Sequence, residues 1–334
     1  MRILVSVLLL LVFVQDYSGP ARVPLPTRHS LRVVPVDLYP GDPSRRTLGN
    51  LTYLGGVELH ERGPAIGGYS GLVVAGDRFT LLSDIGTLLR FRLTLPDRLS
   101  DVSIAALPDG PGTGWQKRDR DAEAIAIDPA TGTTWIAFEN DNEIWRYAAG
   151  ARRATGSVAP RLMREWSANN GAETLVRMRD GSFVVLAETW RPPGEPGRWH
   201  KPDAPRLGLR YATDPVEDMQ RRYSFVYVPP VGYDPVDATE LPDGRMVVLN
   251  RAFGVAQGFT AKLTIFDAAE LRPGARIRPR EIATLAAPTL HDNFEGVAAT
   301  QERGATILWL VSDDNQLPVQ RTLLLKFRLN APRD

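Results

Sequence analysis

One pattern recurs five times along these 334 residues: a polar residue, a short strand of small apolar residues, a Gly turn, a second apolar strand with a polar end, and a third strand. Repetition at a regular period constrains the architecture before any single element does. The first unit runs Gly68-Tyr-Ser-Gly-Leu-Val-Val, turns at Ala75-Gly-Asp, continues Phe79-Thr-Leu-Leu-Ser-Asp84 and then 88–93. The second opens Asp121-Ala-Glu-Ala-Ile, turns at 128–132, continues Thr134-Trp-Ile-Ala-Phe-Glu139 and then 143–147. The third opens Asn170-Gly-Ala-Glu, turns at Arg179-Asp-Gly181, continues Phe183-Val-Val-Leu-Ala-Glu188 and takes 223–228 as its third strand. The fourth opens Val236-Asp-Ala-Thr-Glu, turns at Pro242-Asp-Gly244 and continues Met246-Val-Val-Leu-Asn-Arg251 and 261–266. The fifth opens Asp292-Asn-Phe-Glu-Gly-Val, turns at Glu302-Arg-Gly304 and continues 307–314 and 322–329. The Asp-Gly and Arg-Gly dipeptides supply the positive φ that tight hairpins need.

The units begin at Ser70, Glu123, Glu173, Asp237 and Glu295, roughly 50–60 residues apart, which is blade-sized and too long for a solenoid coil. Helical signals are scarce, with one short turn expected at 267–271. The expected fold is an all-β β-propeller. Strands at 51–59 and 31–38 precede the first unit, so six blades are expected, with five or seven as alternatives. Pairing of N- and C-terminal strands would close the ring and remove exposed sheet edges. The propeller domain spans 50–330, preceded by an extension at 20–49. A Pro-, Arg- and Trp-rich insertion at 190–222 interrupts the third unit and reads either as a lid over the channel or as a plain surface loop.

Forty basic residues face thirty-nine acidic ones, and no basic stripe appears, which sets nucleic-acid binding aside. Residues 1–14 are a basic start followed by an apolar run from residue 3, with a polar exit at 15–19. That is the grammar of a secretory signal peptide over 1–19. The run is short for a membrane span, which needs about 20 residues, and an uncleaved anchor is the alternative. The expected location is periplasmic or secreted, with membrane contact only through an uncleaved leader. The absence of cysteine does not oppose export, because a chain this long buries enough surface without disulfides.

Each unit places two residues near the axis. One opens the inner strand: Ser70, Glu123, Glu173, Asp237 and Glu295. The other ends the second strand: Asp84, Glu139, Glu188, Arg251, and Asp313 with Asp314. Crowded carboxylates cannot all ionise without a cation or protons between them. Oxygen ligands without Cys or clustered His select Ca²⁺ or Mg²⁺, so a Ca²⁺ site on Glu123, Glu173 and Glu295 is expected. The competing reading has these acids accepting strand-edge amides or pairing with Arg90, Arg92, Arg146 and Arg251. Gly68-Tyr-Ser-Gly-Leu lacks the second glycine of a nucleophile elbow. Arg28-His-Ser-Leu-Arg departs from a phosphohistidine motif at Ser30, and Asn50-Leu-Thr52 is a glycosylation sequon by spelling alone.

Several of these segments, above all Asp292-Asn-Phe-Glu-Gly-Val with Leu310-Val-Ser-Asp-Asp-Asn315, resemble the phytase-like ("esterase-like activity of phytase") family of bacterial exported proteins, over roughly residues 50–329. The resemblance implies a propeller with a calcium-dependent acidic channel mouth that hydrolyses a phosphoester or carboxylester. In that reading Glu123, Glu173 and Glu295 hold the metal, Asp84, Glu139, Glu188, Asp313 or Asp314 is the catalytic base, and Arg251, Ser70 and Asp237 contact a small ester or phosphoester substrate. Two rivals remain: a non-catalytic exported propeller that binds a ligand or protein, and a sugar-lactone hydrolase or quinone-dependent sugar oxidoreductase. A propeller hosts enzymes and binders alike.

Overall fold

The computed structural model describes residue 25 and residues 31–60, 67–166, 171–190 and 204–331. Three strands come first: β1 (Arg32–Pro35), β2 (Thr47–Leu48) and β3 (Leu51–His60). Two four-stranded sheets follow in chain order. The first contains β4 (Tyr69–Ala75), β5 (Arg78–Ser83), β6 (Thr87–Thr94) and β7 (Arg98–Ala106), and the second β8 (Ala122–Ile127), β9 (Thr134–Phe138), β10 (Glu143–Tyr147) and β11 (Ala154–Val158). The third sheet holds β12 (Thr174–Arg177), β13 (Phe183–Leu186), β14 (Arg206–Tyr211) and β15 (Arg222–Tyr227). The fourth contains β16 (Asp234–Glu240), β17 (Arg245–Gly254), β18 (Gly258–Asp267) and β20 (Arg280–Leu285), while β19 (Arg276–Ile277) joins the third sheet beside β15. The fifth contains β21 (Phe294–Glu302), β22 (Ala305–Ser312) and β23 (Thr322–Leu329), then β3 and β1, with β2 on β3.

The propeller therefore has five blades, not six. The strands expected to seed a sixth are β1 and β3, and β3 pairs antiparallel with β23 from Thr322↔Leu59 to Leu329↔Leu51. They carry no inner strand of their own and widen the fifth blade outward. The fifth sheet is thus drawn from both ends of the chain.

The core lies between blades. Each neighbouring pair shares one apolar layer, such as Phe138, Tyr147, Leu82 and Leu88 between the first and second. The layer between the fifth and first combines Trp309, Val311 and Leu324 with Phe79, Leu81 and Phe91. Phe79 stacks on Phe91 and meets Trp309 edge-on at 4.8 Å. At the axis each inner strand touches the next: β4 with β8, β8 with β12, β12 with β16, β16 with β21, and β21 with β4. The channel between them is a cavity of about 140 Å³, lined by three residues from each of these five strands.

Part of the 190–222 segment is blade. β14 pairs with β13 and with β15, so 223–228 is a fourth strand and not a third. The lid reading falls on 191–203, outside the described residues, as does the leader expected at 1–19. The expected turn near 267–271 is a 3₁₀ turn, Ala268–Glu270, capped by Asp267. Among the described residues no helix is long and apolar enough to cross a membrane.

The crowding at the axis is testable. Gly296 sits where β21 passes both its neighbour in the sheet and the next blade. A Cβ there would meet Val311 Cγ1 at 2.6 Å and Leu72 Cβ at 3.0 Å. Overpacking of this kind costs about 1–3 kcal/mol, so Gly296→Ala is expected to lower the melting temperature by roughly 2–12 °C. An unchanged melting curve would show that the axis has room to spare.

Candidate functional site: an acidic ring at one end of the channel

The sequence repeat becomes a spatial ring through a backbone device. In four inner strands the register slips by one residue near the start, and the residue left over is Ser70, Glu123, Val236 or Glu295. A bulge bends the strand and re-aims its extra side chain. In the third blade pairing begins at Thr174↔Leu186, which leaves Glu173 in the corresponding place. Asp237 is out of phase with this ring: Val236 is the bulged residue, and Asp237 stands where Gly71, Ala124 and Gly296 stand. Its carboxylate accepts the Val297 amide at 2.7 Å and its neighbour Ala238's amide at 2.8 Å. It therefore stitches two inner strands together at the channel wall.

A second ring ends the second strands. The amides of Asp84, Glu139, Glu188 and Asp313 donate to the carbonyls of Gly68, Asp121, Gly171 and Asn293 at 2.7–3.0 Å. In the fourth blade the equivalent residue is Arg251, opposite Asp234. Asp314 does not join the ring. It accepts hydrogen bonds from the Gly68 amide, the Gln316 amide and the Thr322 hydroxyl, which fastens the loop before β4 to the fifth blade.

Two trios of carboxyl groups emerge: Asp121, Glu123 and Glu139, then Glu139, Glu173 and Glu188, with oxygens of each trio within 4.8 Å of one another. Glu139 belongs to both. Glu295 is held elsewhere. Arg251 pairs with it and with Glu188, the latter at 2.9 Å, and also donates to Asn293 Oδ1 at 3.1 Å. Asn293 in turn donates to Glu295 at 2.8 Å. The expected set of Glu123, Glu173 and Glu295 is thus regrouped: the first two fall into separate trios, and the third is neutralised by arginine. On the other side Lys117 Nζ lies 2.6 Å from Asp84 and 3.8 Å from Asp121, and Asn140 donates to Asp121 at 2.6 Å. Of the four histidines, His60 pairs with Glu58 and His291 contacts the Thr289 carbonyl. His29 and His200 lie outside the described residues.

Burial governs the electrostatics. It pushes Glu139 up to about 8, helped by the Asp121 charge. It lifts Glu188 to about 7 against the pull of Arg251, and Asp121 to about 6 against Lys117. Glu123, Glu173 and Asp313 are driven well above the carboxylate range by burial and then by neighbouring acids. Glu295 is raised by burial despite Arg251. Burial works against the Lys117 ammonium, yet Asp84 and Asp121 hold it above its ordinary value. Eight carboxyl groups (Asp84, Asp121, Glu123, Glu139, Glu173, Glu188, Glu295 and Asp313) thus share one space with two cations, Lys117 and Arg251. Hard oxygen donors in this number fit Ca²⁺ or Mg²⁺. The Ser70 hydroxyl, buried in the same bulge ring, has no hydrogen-bond partner.

Sequence reasoning missed Asp121, Asn140, Asn293 and Lys117. Asp121 carried a signal, since it opens the second unit two residues before Glu123. Lys117 lies on a 3₁₀ turn in the connection between two blades, where no repeat points to it.

A five-bladed propeller with an acidic mouth is the class these features define. The chain belongs to the phytase-like family described as "esterase-like activity of phytase", whose model matches residues 64–316. No curated protein is similar enough to match. Among solved structures, the α-L-arabinofuranosidase of Podospora anserina, in complex with cellotriose, is 10% identical with a TM-score of 0.45, covering 81% of this chain and 96% of that one. A luciferin-regenerating enzyme is 10% identical at 0.41, covering 80% and 95%. Kuenenia stuttgartiensis hydrazine synthase is 12% identical at 0.40, covering 78% and 71%. Likeness this remote carries no argument about chemistry.

The raised carboxyls make a signed prediction. In the unfolded chain they ionise near pH 4, whereas in the folded chain Asp121, Glu188 and Glu139 resist ionisation up to about 6, 7 and 8. Between those limits the unfolded state holds fewer protons, so folding stability falls as pH rises. In chelator the melting temperature is expected to drop from pH 5 to pH 8, and saturating Ca²⁺ is expected to flatten that slope. A melting temperature that climbs across this window in chelator would contradict the assignment.

Proposed function

We propose that the protein is an exported, metal-dependent hydrolase that cleaves a phosphoester or other ester at the acidic mouth of its propeller. The observation that carries this reading is the pair of buried carboxyl trios hinged on Glu139, beside two basic groups that can face an anion. Asp121, Glu123, Glu139, Glu173 and Glu188 would hold the metal, and Ca²⁺ suits their oxygens. Such an ion would screen a substrate's oxyanion and lower the pKa of water.

The chain's own groups divide the remaining work. Lys117 is the more exposed of the two cations and is the anchor for a substrate's negative oxygen. Arg251 opposes the upward push that burial exerts on Glu188 and Glu295. The general base falls to Asp84 or Asp313, which end their strands at the same mouth outside both trios. Water adds to phosphorus or to the acyl carbon, the bond to the alcohol oxygen breaks, and the proton taken by the base is returned to the alkoxide. Asp84, Glu139 and Asp313 stay within reach of the same space. Asp314 and Asp237 are committed to backbone amides. The Ser70 hydroxyl is free to donate to a bound oxygen. Export rests on the leader at 1–19.

Calcium titration followed by melting tests the site first. A cation at 100 times its dissociation constant stabilises the fold by about 2.7 kcal/mol, and Glu139→Gln is expected to abolish that shift because both trios lose a ligand. Turnover of a generic phosphoester and a generic carboxylester should then fall by more than about 100-fold in Glu139→Gln or with chelator, beyond the effect of losing an outer-shell partner. A calcium-dependent shift with no turnover of either ester would make the protein a binding propeller.

A further inference from the structure

Every large apolar side chain exposed among the described residues lies at one end of the propeller: Trp115, Leu162, Val231, Phe253, Val255, Leu317 and Val319. The topology fixes which end. Inner strands start, and second strands finish, where the acidic rings lie, so the links from one blade to the next and the turns from second to third strand all emerge there. Trp115 precedes Lys117 by two residues in the link from β7 to β8, and Leu162 lies in the link from β11 to β12. Val231 precedes β16, whereas Phe253 and Val255 lie just beyond Arg251 on the β17–β18 hairpin. Leu317 and Val319 sit in the loop after Asp314. The opposite end, where the Gly turns lie, exposes no such residue among those described.

Single exposed apolar residues are ordinary, but here all of them among the described residues lie on the loops at the end that carries the acidic rings. Ligand sites join apolar walls to a few polar groups that orient the ligand. Here the polar groups form the floor and the loops supply the apolar margin. We propose that the substrate is amphiphilic: its ester or phosphoester head enters the acidic mouth while its hydrocarbon portion rests across this rim. The inference deepens the hydrolase reading and rests on it. A bilayer fits less well. Membrane-surface elements present a basic amphipathic helix, whereas this mouth is acidic and the described helices are three short 3₁₀ turns.

The test uses methylphosphonate and octylphosphonate with calcium, measured by calorimetry on the native chain and on Trp115→Ser/Val255→Ser/Val319→Ser. These three residues are 69%, 89% and 86% exposed, so their replacement should leave the fold intact. Each methylene removed from water contributes about fourfold in affinity. The native protein is expected to bind octylphosphonate at least about tenfold more tightly than methylphosphonate. The triple variant should bind methylphosphonate unchanged and lose the gain with chain length. Equal affinity of the native chain for both phosphonates, or a gain retained in the variant, overturns the rim while leaving the hydrolase reading standing. Co-sedimentation of the native chain, but not the variant, with phosphatidylcholine vesicles would assign the rim to a bilayer and overturn the proposal. If neither phosphonate binds while calcium still raises the melting temperature, the ester reading falls and takes this inference with it.

Discussion

The constraint on which the structure depends is the convergence of five strands on one axis. Strands that close in must be lined by small residues, and Gly71, Ala124 and Gly296 occupy equivalent positions where a larger side chain meets the next blade. The same convergence brings the strand starts together. A bulge in each of four of them turns one side chain out of the ladder. The geometry that crowds the inner strands therefore also concentrates charge at one end of the channel. The apolar layers between blades make this convergence stable, since each sheet buries its faces against its neighbours.

Five-fold repetition alone would give an untenable site, with an acid in every blade and nothing to offset them. The fourth blade breaks the pattern. It carries Val236 in the bulge ring and Arg251 in the strand-end ring. Arg251 neutralises one side of the mouth through Glu188 and Glu295, and Lys117 does the same opposite, through Asp84. Between them lie the two trios that share Glu139. The departure from symmetry separates a cation-attracting half from the groups able to meet an anion.

Much of this was legible in the sequence, for a physical reason. Strand alternation, Gly turns and acidic strand ends are local signals, and their repetition projects them onto a ring. The family resemblance rests on the same segments. The blade number was not legible, because 51–60 is a good strand whichever sheet it joins. Asp237 shows the limit of a residue-type pattern. It matches the acids elsewhere in kind, but a one-residue register difference gives it to the backbone of β21. Glu295 shows the complementary limit: it stands in the bulge ring with Glu123, but its partner depends on the reach of Arg251 from another blade. Lys117 has no repeat counterpart and becomes visible only in space.

The fifth blade joins residues separated by almost the whole chain, as in the pairing of Leu51 with Leu329. Contacts so distant along the sequence form late and slowly. Until β23 is available, β3 has an unsatisfied edge and the fifth-to-first apolar layer lacks Leu324. Without that strand the fifth blade would present β22 and β3 as two unpaired edges along one seam. The mouth residues run from Asp84 to Asp313 and the inner ring closes where β21 meets β4, so β23 braces the site from behind and adds no side chain to its rings.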